Sequence, residues 1–229
     1  MKLLAFDTST ELLSIAVARD AQLWRHEGRG GAAASATLIP AIQQLLAQAG
    51  LRVGELDAIV FGHGPGSFTG LRTACSVAQG LAFGAGVSVL GVDTLLAVAE
   101  TAREQDGCTE VLAVIDARMD EVYAGHYQYA AGSWQRRGEF SLGAPQALVL
   151  PAGWTLAGNA ATAYGERLPP GPRVVAMPEA TALLRLAPAL LAQQRAVPAE
   201  QALPLYIRDK VAQTTAERAA LRAEEIPRP

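Results

Sequence analysis

The stretch GHGPGSFTGLR, residues 62–72, joins an apolar run at 58–61 to a helical run of small residues. This order predicts a strand, a glycine loop and a helix. Four glycines and a proline allow the backbone to turn sharply and to approach a neighbouring group closely. Ser67 or Thr69 can cap the helix that follows. The loop therefore suits either an anion at the helix N-terminus or a closely packed segment of backbone.

Three common motif classes do not fit this glycine loop. An α/β-hydrolase elbow needs glycine two residues before and after its serine, whereas Ser67 has Pro65 and Thr69 there. A phosphate-binding P-loop needs a lysine directly after its last glycine, and here Leu71 follows. A dinucleotide fingerprint that begins at Gly64 would need its third glycine at Thr69. We therefore interpret the loop chiefly as a tight turn that sets the helix against the sheet, with phosphate contact as the alternative.

The composition is typical of an ordinary globular protein. Of 229 residues, 50% are hydrophobic and 18% charged, and 19 Lys and Arg against 22 Asp and Glu give a net charge of -3. No overall basic field would hold nucleic acid, so a partner would carry most of any contact with RNA. Cys75 and Cys108 lack metal or disulfide spacing, and no apolar run reaches the ~20 residues of a membrane span. We expect a soluble, cytoplasmic protein that binds no membrane.

Apolar runs and their spacing predict an α/β chain. The predicted strands are residues 3–6, 12–18, 22–25, 56–61, 87–92, 111–115 and 122–129, with weaker ones at 154–157 and 173–177. The predicted helices are residues 36–49, 69–85, one that starts at Asp93 or Thr94 and runs to about 102, and 180–194, which Pro188 interrupts or bends. Three strands followed by alternating helix and strand favour a ribonuclease-H-like half of an actin-like or sugar-kinase-type fold over a plain doubly wound sheet.

A polar stretch at residues 104–109 predicts a domain boundary. We expect a first, partner-binding lobe at 1–103 and a second, smaller lobe at 104–211. Residues 212–229 form a charged, alanine-rich tail, which we expect to be an exposed helix or frayed chain. The amino-acid sequence contains no internal repeat.

The turn after the first predicted strand offers one carboxylate and two hydroxyls. In a kinase-like fold such a turn would hold the phosphate of a metal nucleotide, whereas the simpler alternative is a capped Asx or Ser/Thr hairpin turn. Catalysis would need a second carboxylate and a base, and the second half offers only Asp116, Asp120 and Glu121, close together in the chain. The candidate nucleotide or phosphate contacts are Asp7, Thr8, Ser9, Gly64, Gly66 and Ser67.

The three histidines do not predict a metal site. His26, His63 and His126 lie far apart, none is at helical ligand spacing from another, and neither cysteine has a histidine nearby. We therefore expect no metal and no cofactor, and no catalytic residues are assigned. A metallopeptidase is the weakest of the functional alternatives.

The helices predicted at 36–49 and 69–85 carry wide apolar stripes, and small residues lie on other faces of the second helix. Small faces permit close helix approach, so this pair could offer an apolar surface to a partner or to a second copy of the chain. Burial within one domain is the alternative. The candidate partner-interface residues are Leu38, Ile42, Leu45, Leu71, Cys75 and Ala78.

Six segments of the chain are similar, in order, to the motifs of one known family. They read LAFDTS at 4–9, GPGSFTGLR at 64–72, GVDTL at 91–95, DARMDEVY at 116–123, GNA at 158–160 and PLYIR at 204–208. The match extends to about residue 211, and the glycine loop together with DARMDEVY makes it specific. The chain resembles the family of bacterial tRNA threonylcarbamoyladenosine biosynthesis proteins TsaB (YeaZ). Ala34 stands where that family usually has a histidine.

The resemblance implies a two-lobed actin-like (ASKHA, ribonuclease-H-like) α/β fold and a role in the threonylcarbamoyl modification of the adenosine next to the anticodon of certain tRNAs. It implies a non-catalytic paralogue of the transferase TsaD, whose metal-binding His-x-x-x-His is missing from this sequence. Such a scaffold pairs with TsaD through helices of its first lobe, is joined by the ATPase TsaE, and meets tRNA through the complex. For the isolated chain, we expect the same face to be able to pair two copies as a homodimer. The alternative from another class is a small actin-fold kinase or ATPase that uses Asp7 and the loop at 64–70.

Overall fold

In the computed structural model, which describes residues 1–208, two five-stranded mixed sheets are flanked by helices. The strands are β1 (Lys2–Asp7), β2 (Leu12–Arg19), β3 (Gln22–Arg29), β4 (Ala58–Gly64), β5 (Val89–Asp93), β6 (Glu110–Arg118), β7 (Glu121–Ala130), β8 (Ser133–Gly143), β9 (Thr155–Ala157) and β10 (Arg173–Val174). The α-helices are α1 (Ala34–Ala49), α2 (Phe68–Ala85), α3 (Thr94–Asp106), α4 (Ala160–Tyr164) and α5 (Ala180–Ala192). The tail predicted at 212–229 lies outside the described residues.

The two sheets share one topology. The first has the strand order β3-β2-β1-β4-β5, and the second, followed from its β8 edge, has the order β8-β7-β6-β9-β10. In each, three consecutive antiparallel strands are followed by two strands that extend the sheet in parallel. This duplication confirms the predicted actin-like α/β fold. It is a repeat of topology that has no counterpart in the sequence.

Each face of the first sheet is covered by helices. α1 and α2 pack on one face, in a core that includes Phe6 and Phe61, and α5 packs on the other, against Leu3 and Val60. α3 packs against the second sheet through Leu95. Residues 180–192 fall within the predicted second lobe by their position in the chain. In the structure, however, they form α5, which packs on the first sheet. The lobes at 1–103 and 104–211 remain our proposal for the domain division.

The residues predicted to cap or end the helices do so in the structure. The Ser67 hydroxyl accepts a hydrogen bond from the Gly70 amide at 3.1 Å and caps α2. The Asp93 carboxylate accepts the amides of Leu95 and Leu96 at the start of α3, at 2.9 and 3.3 Å. Gly50 ends α1 with φ of 62°, in the left-handed region that favours glycine.

Three elements differ from the prediction. β8 was missed because it is an edge strand exposed along most of its length, so its sequence lacks the alternation of a half-buried strand. α5 runs through Pro188 without interruption, and Pro188 lies on its exposed side. The short helix α4 was also not predicted. Within residues 1–208, no helix is long and apolar enough to cross a membrane.

Candidate functional site

The glycine loop at 62–72 packs directly on the turn that follows β1. The Ser67 amide donates to the Ser9 carbonyl at 2.7 Å, and the Thr8 hydroxyl donates to the Gly70 carbonyl at 2.7 Å. A Cβ on Gly66 would lie 2.6 Å from the Cβ of Ser9, and one on Gly70 would lie 1.9 Å from the Thr8 carbonyl oxygen. These glycines are therefore needed because two backbone segments are in contact.

Asp7 is fully buried at the end of β1. Its Oδ1 accepts the Ser9 amide at 2.7 Å and the Ser9 hydroxyl at 2.6 Å, which is an Asx turn. Its Oδ2 faces Gly62, where a Cβ would lie only 1.7 Å away, and has no hydrogen-bond partner among residues 1–208. Burial raises the pKa of Asp7 to about 6, although the Ser9 hydrogen bonds and the nearby Thr94 hydroxyl favour the charged form.

The C-terminal motif of the described chain also contacts the glycine loop. The Leu205 amide donates to the His63 carbonyl at 2.7 Å, and a Cβ on Gly64 would lie 2.5 Å from the Leu205 carbonyl oxygen. Gly64 has φ of +127°, which a residue with a side chain rarely adopts. The structure thus brings Asp7, Thr8, Ser9, Gly64, Gly66 and Ser67 together at one corner. Their contact with a nucleotide or phosphate stays a prediction.

A cleft of about 260 Å³ lies between the turn after β1 and the turn that joins β6 to β7, with Ser9, Ser67 and Arg118 in its walls. Asn159 connects its two sides. The Asn159 side-chain nitrogen donates to both Glu11 carboxylate oxygens at 3.0 Å, and its oxygen accepts the Asp116 amide at 2.9 Å. Asn159 belongs to the GNA motif, but the sequence predicts no role for it, because its partners are 43 and 148 residues away in the chain.

The carboxylates of the DARMDEVY segment have partners in the protein. Asp116 accepts the Tyr164 hydroxyl at 2.8 Å, Asp120 pairs with Arg167, and Glu121 pairs with Arg208. Arg118, Met119 and Asp120 have φ of 61°, 54° and 63°, so this turn holds three consecutive residues with side chains in the left-handed region. Arg208, like Asn159, was not assigned a role from the sequence, although the PLYIR motif contains it.

The six residues named as candidate interface contacts lie in the core. Leu38, Ile42, Leu45, Leu71, Cys75 and Ala78 are each at most 5% exposed. A side chain buried in the monomer cannot contact a partner, so an interface on these two helices must use other residues of them. Apart from Leu71, these candidate residues all belong to the core in which the two helices pack against the first sheet. An interface on α1 and α2 stays a prediction, now with different side chains.

The histidines do not converge. Among residues 1–208 there is no group of three or more His, Cys, Asp or Glu side chains placed to hold a metal ion. His63 lies against Gly91, and burial, together with nearby Arg195, lowers its pKa to about 4. His63 is therefore a neutral ring at physiological pH.

Comparisons with known proteins agree on one family. The family model described as TsaD, tRNA N6-adenosine threonylcarbamoyltransferase, matches residues 29–151. The tRNA threonylcarbamoyladenosine biosynthesis protein TsaB of Escherichia coli is 34% identical over 93% of this chain and 96% of its own length. TsaB of Haemophilus influenzae is 42% identical over 54% of this chain and 52% of its own length. A solved structure of YeaZ from Pseudomonas aeruginosa is 40% identical, with a TM-score of 0.84, covering 90% of this chain and 99% of that one.

Proposed function

Since this chain belongs to the TsaB (YeaZ) family, we propose that it acts in the biosynthesis of threonylcarbamoyladenosine in tRNA. In this proposal it is a scaffold subunit without chemistry of its own. It pairs with the transferase TsaD and with the ATPase TsaE, and it meets tRNA through that complex. The TsaD family model over more than half of the chain supports a shared origin with the transferase.

The hydrogen bonding of the carboxylates supports a scaffold over a kinase. Asp7 gives one oxygen to Ser9, and its other oxygen, although it has no hydrogen-bond partner among residues 1–208, is buried against Gly62 and closed to solvent. In the second sheet, the carboxylates of the DARMDEVY segment are paired with tyrosine or arginine. A catalytic carboxylate would need a free oxygen directed at substrate.

The observation that carries the proposal is the uncharged outer surface of α1 and α2. The 16 residues of α1 contain no charged side chain, and the 18 residues of α2 contain only Arg72. Ile39 on α1 is 42% exposed and Phe83 on α2 is 80% exposed. The cores of protein interfaces are depleted in charged residues and enriched in aromatic ones, so this surface fits a protein partner.

The outer face of α2 also permits a close approach by another helix. Ser76, Gly80 and Gly84 are exposed and follow one another at intervals of four residues, next to Phe83. A Cβ on Gly80 or Gly84 would meet nothing within 4 Å, so neither glycine is needed for packing inside the monomer. Small side chains on such a face allow two helix backbones to come close. We propose that α2 packs here against TsaD and, in isolation, against a second copy of the chain.

Gly80→Arg tests this interface. The variant places a long charged side chain on the outer face without an internal clash, and it replaces glycine inside a helix, so we expect stability to be retained or raised by about 1 kcal/mol. Binding to TsaD, measured by calorimetry, should fall at least tenfold. Modification of tRNA by TsaD and TsaE should fall to the rate seen when this chain is omitted.

The matched control is Gly143→Arg at the end of β8. A Cβ there also meets nothing within 4 Å, and Gly143 lies on the edge strand of the second sheet, outside α1 and α2. It should pair with TsaD like the unaltered protein. Full binding by Gly80→Arg would contradict the interface, and an unchanged modification rate on omission of this chain would contradict the proposed function.

A further inference from the structure

A cavity of about 790 Å³ lies between α3, α5 and the hairpin of β7 and β8. Its walls contain none of the residues of the turn after β1 or of the turn between β6 and β7. The volume is in the range of sites for small molecules. This cavity, which we call the Glu100 cavity, is not used by the proposed scaffold function.

Glu100 organises one wall of the Glu100 cavity. Its side chain is only 3% exposed and accepts hydrogen bonds from three elements. Arg103 on α3 donates through Nε and Nη2 at 2.9 Å, Arg185 on α5 donates through Nε at 2.9 Å, and Trp134 on β8 donates at 2.8 Å. Burial opposes the charge, but these donors outweigh it and lower the pKa of Glu100, so the carboxylate is ionised.

This arrangement leaves positive charge and unused donors at the wall. One carboxylate holds two guanidinium groups, and neither Nη atom of Arg185 has a hydrogen-bond acceptor among residues 1–208. Glu104, which is exposed, lies 3.8 Å from Arg185 Nε, beyond hydrogen-bond range. A buried carboxylate that fixes two guanidinium groups pre-organises them, which lowers the entropy cost of binding an oxyanion.

Two further guanidinium groups line the same cavity. Arg195 has no ion-pair partner in the described part of the chain, and Arg136 lies 3.6 Å from the largely exposed Glu139 while it stacks on Phe140. Asp93, also in the wall, is committed to the Tyr127 hydroxyl and to two amides of α3. Against the four arginines the walls thus set three carboxylates, of which Asp93 and Glu100 are engaged in hydrogen bonds and Glu139 is largely exposed to solvent.

Part of the remaining wall is apolar, with Leu96, Leu186, Leu190 and the ring of Phe140. We propose that the Glu100 cavity binds an organic oxyanion, in which a carboxylate or phosphate group lies on Arg185 and Arg195 and an apolar or aromatic body lies against these side chains. Bidentate recognition of either oxyanion is the usual role of arginine. Apolar walls with a few converging polar groups are typical of such sites.

Calorimetric titration of the full chain with four probes tests this proposal. The probes are naphthoate, naphthyl phosphate, neutral naphthamide and inorganic phosphate. We expect the two anionic naphthyl compounds to bind at least tenfold more tightly than naphthamide, and inorganic phosphate to bind more weakly than naphthyl phosphate. The tighter of the two anions identifies the oxyanion class.

Arg185→Gln should lower the affinity for the tighter-binding anion at least tenfold. Arg195→Gln, which removes an exposed side chain without hydrogen bonds among residues 1–208, should weaken it severalfold without any effect on folding. The matched control is Arg137→Gln on the same hairpin, since Arg137 bonds Gln128 and does not line the cavity. Three results would overturn the proposal. The anion could bind all three variants with the same affinity, naphthamide could bind the unaltered protein as tightly as the anions do, or neither anion could bind at millimolar concentration.

Discussion

Gly70→Ala is expected to destabilise the protein by about 4 kcal/mol, at the upper end of what single substitutions do. The added Cβ would lie 1.9 Å from the Thr8 carbonyl oxygen and 2.7 Å from the Ser67 hydroxyl, which caps α2. Neither neighbour can move freely, because one is backbone and the other is held by its own hydrogen bond. The α2 helix would therefore have to shift away from the turn after β1, with the loss of the Thr8 hydrogen bond to Gly70.

Gly80→Ala in the same helix is the matched control for Gly70→Ala. Nothing lies within 4 Å of a Cβ at Gly80, and alanine is the better helix former, so stability should rise by up to about 1 kcal/mol. Urea unfolding followed by circular dichroism measures both variants. If the two substitutions changed stability alike, the close contact between the glycine loop and the turn after β1 would be wrong.

Asp7→Asn is expected to stabilise the protein near neutral pH by up to about 3 kcal/mol, the equivalent of the pKa shift of this carboxyl. An asparagine oxygen can accept both Ser9 hydrogen bonds, and its amide can face Thr94. The buried charge would be gone while the Asx turn would be kept. The substitution therefore removes the free-energy cost of the buried charge and keeps both hydrogen bonds to Ser9.

The stabilisation by Asp7→Asn should increase as the pH rises. The pKa of Asp7 rises from 3.8 to about 6 in the folded protein, so the folded state binds the proton more tightly than the unfolded state. Asp7 thus lowers stability progressively as pH rises from about 4 to about 6. The advantage of Asp7→Asn should be near zero at pH 4 and full at pH 7. Since Asp93 shows a similar shift, the informative quantity is the difference between the variant and the unaltered protein.

Asp106→Asn, at the exposed end of α3, is the control and should gain much less, because it only removes a solvent-exposed charge from a helix C-terminus. The opposite outcome, a loss of stability for Asp7→Asn at pH 7, would mean that the Asp7 charge is stabilised by contacts other than those described.

The same variant separates the two functional classes, the scaffold and the kinase or ATPase. A scaffold should support tRNA modification with asparagine at this position, whereas a kinase or ATPase that uses Asp7 would lose its activity.

The candidate interface shows the limit of pattern reasoning. Periodicity identified α1 and α2 and the side chains of their apolar stripes, but an apolar stripe has the same pattern whether a sheet or a partner covers it. In the structure the first sheet covers the stripe. The outer face, with Phe83 and the two open glycines, does show small residues at intervals of four, but such residues also occur in buried helices, so this spacing does not identify an exposed face.

The amino-acid sequence by itself determined the local structure around residues 62–72: the strand, the glycine turn, the Ser67 cap and the helix. These follow from the conformational freedom of glycine, from capping by a hydroxyl and from helical spacing, all of which act between residues near in the chain. Only the tertiary structure decided what the glycines are for, since Thr8 and Ser9 contact the loop from some 60 residues away. It also decided the duplicated sheet and the contacts of Trp134 and Arg185 with Glu100. Contacts of that kind depend on how whole elements pack, and side chains so far apart in the chain leave no spacing that could reveal them.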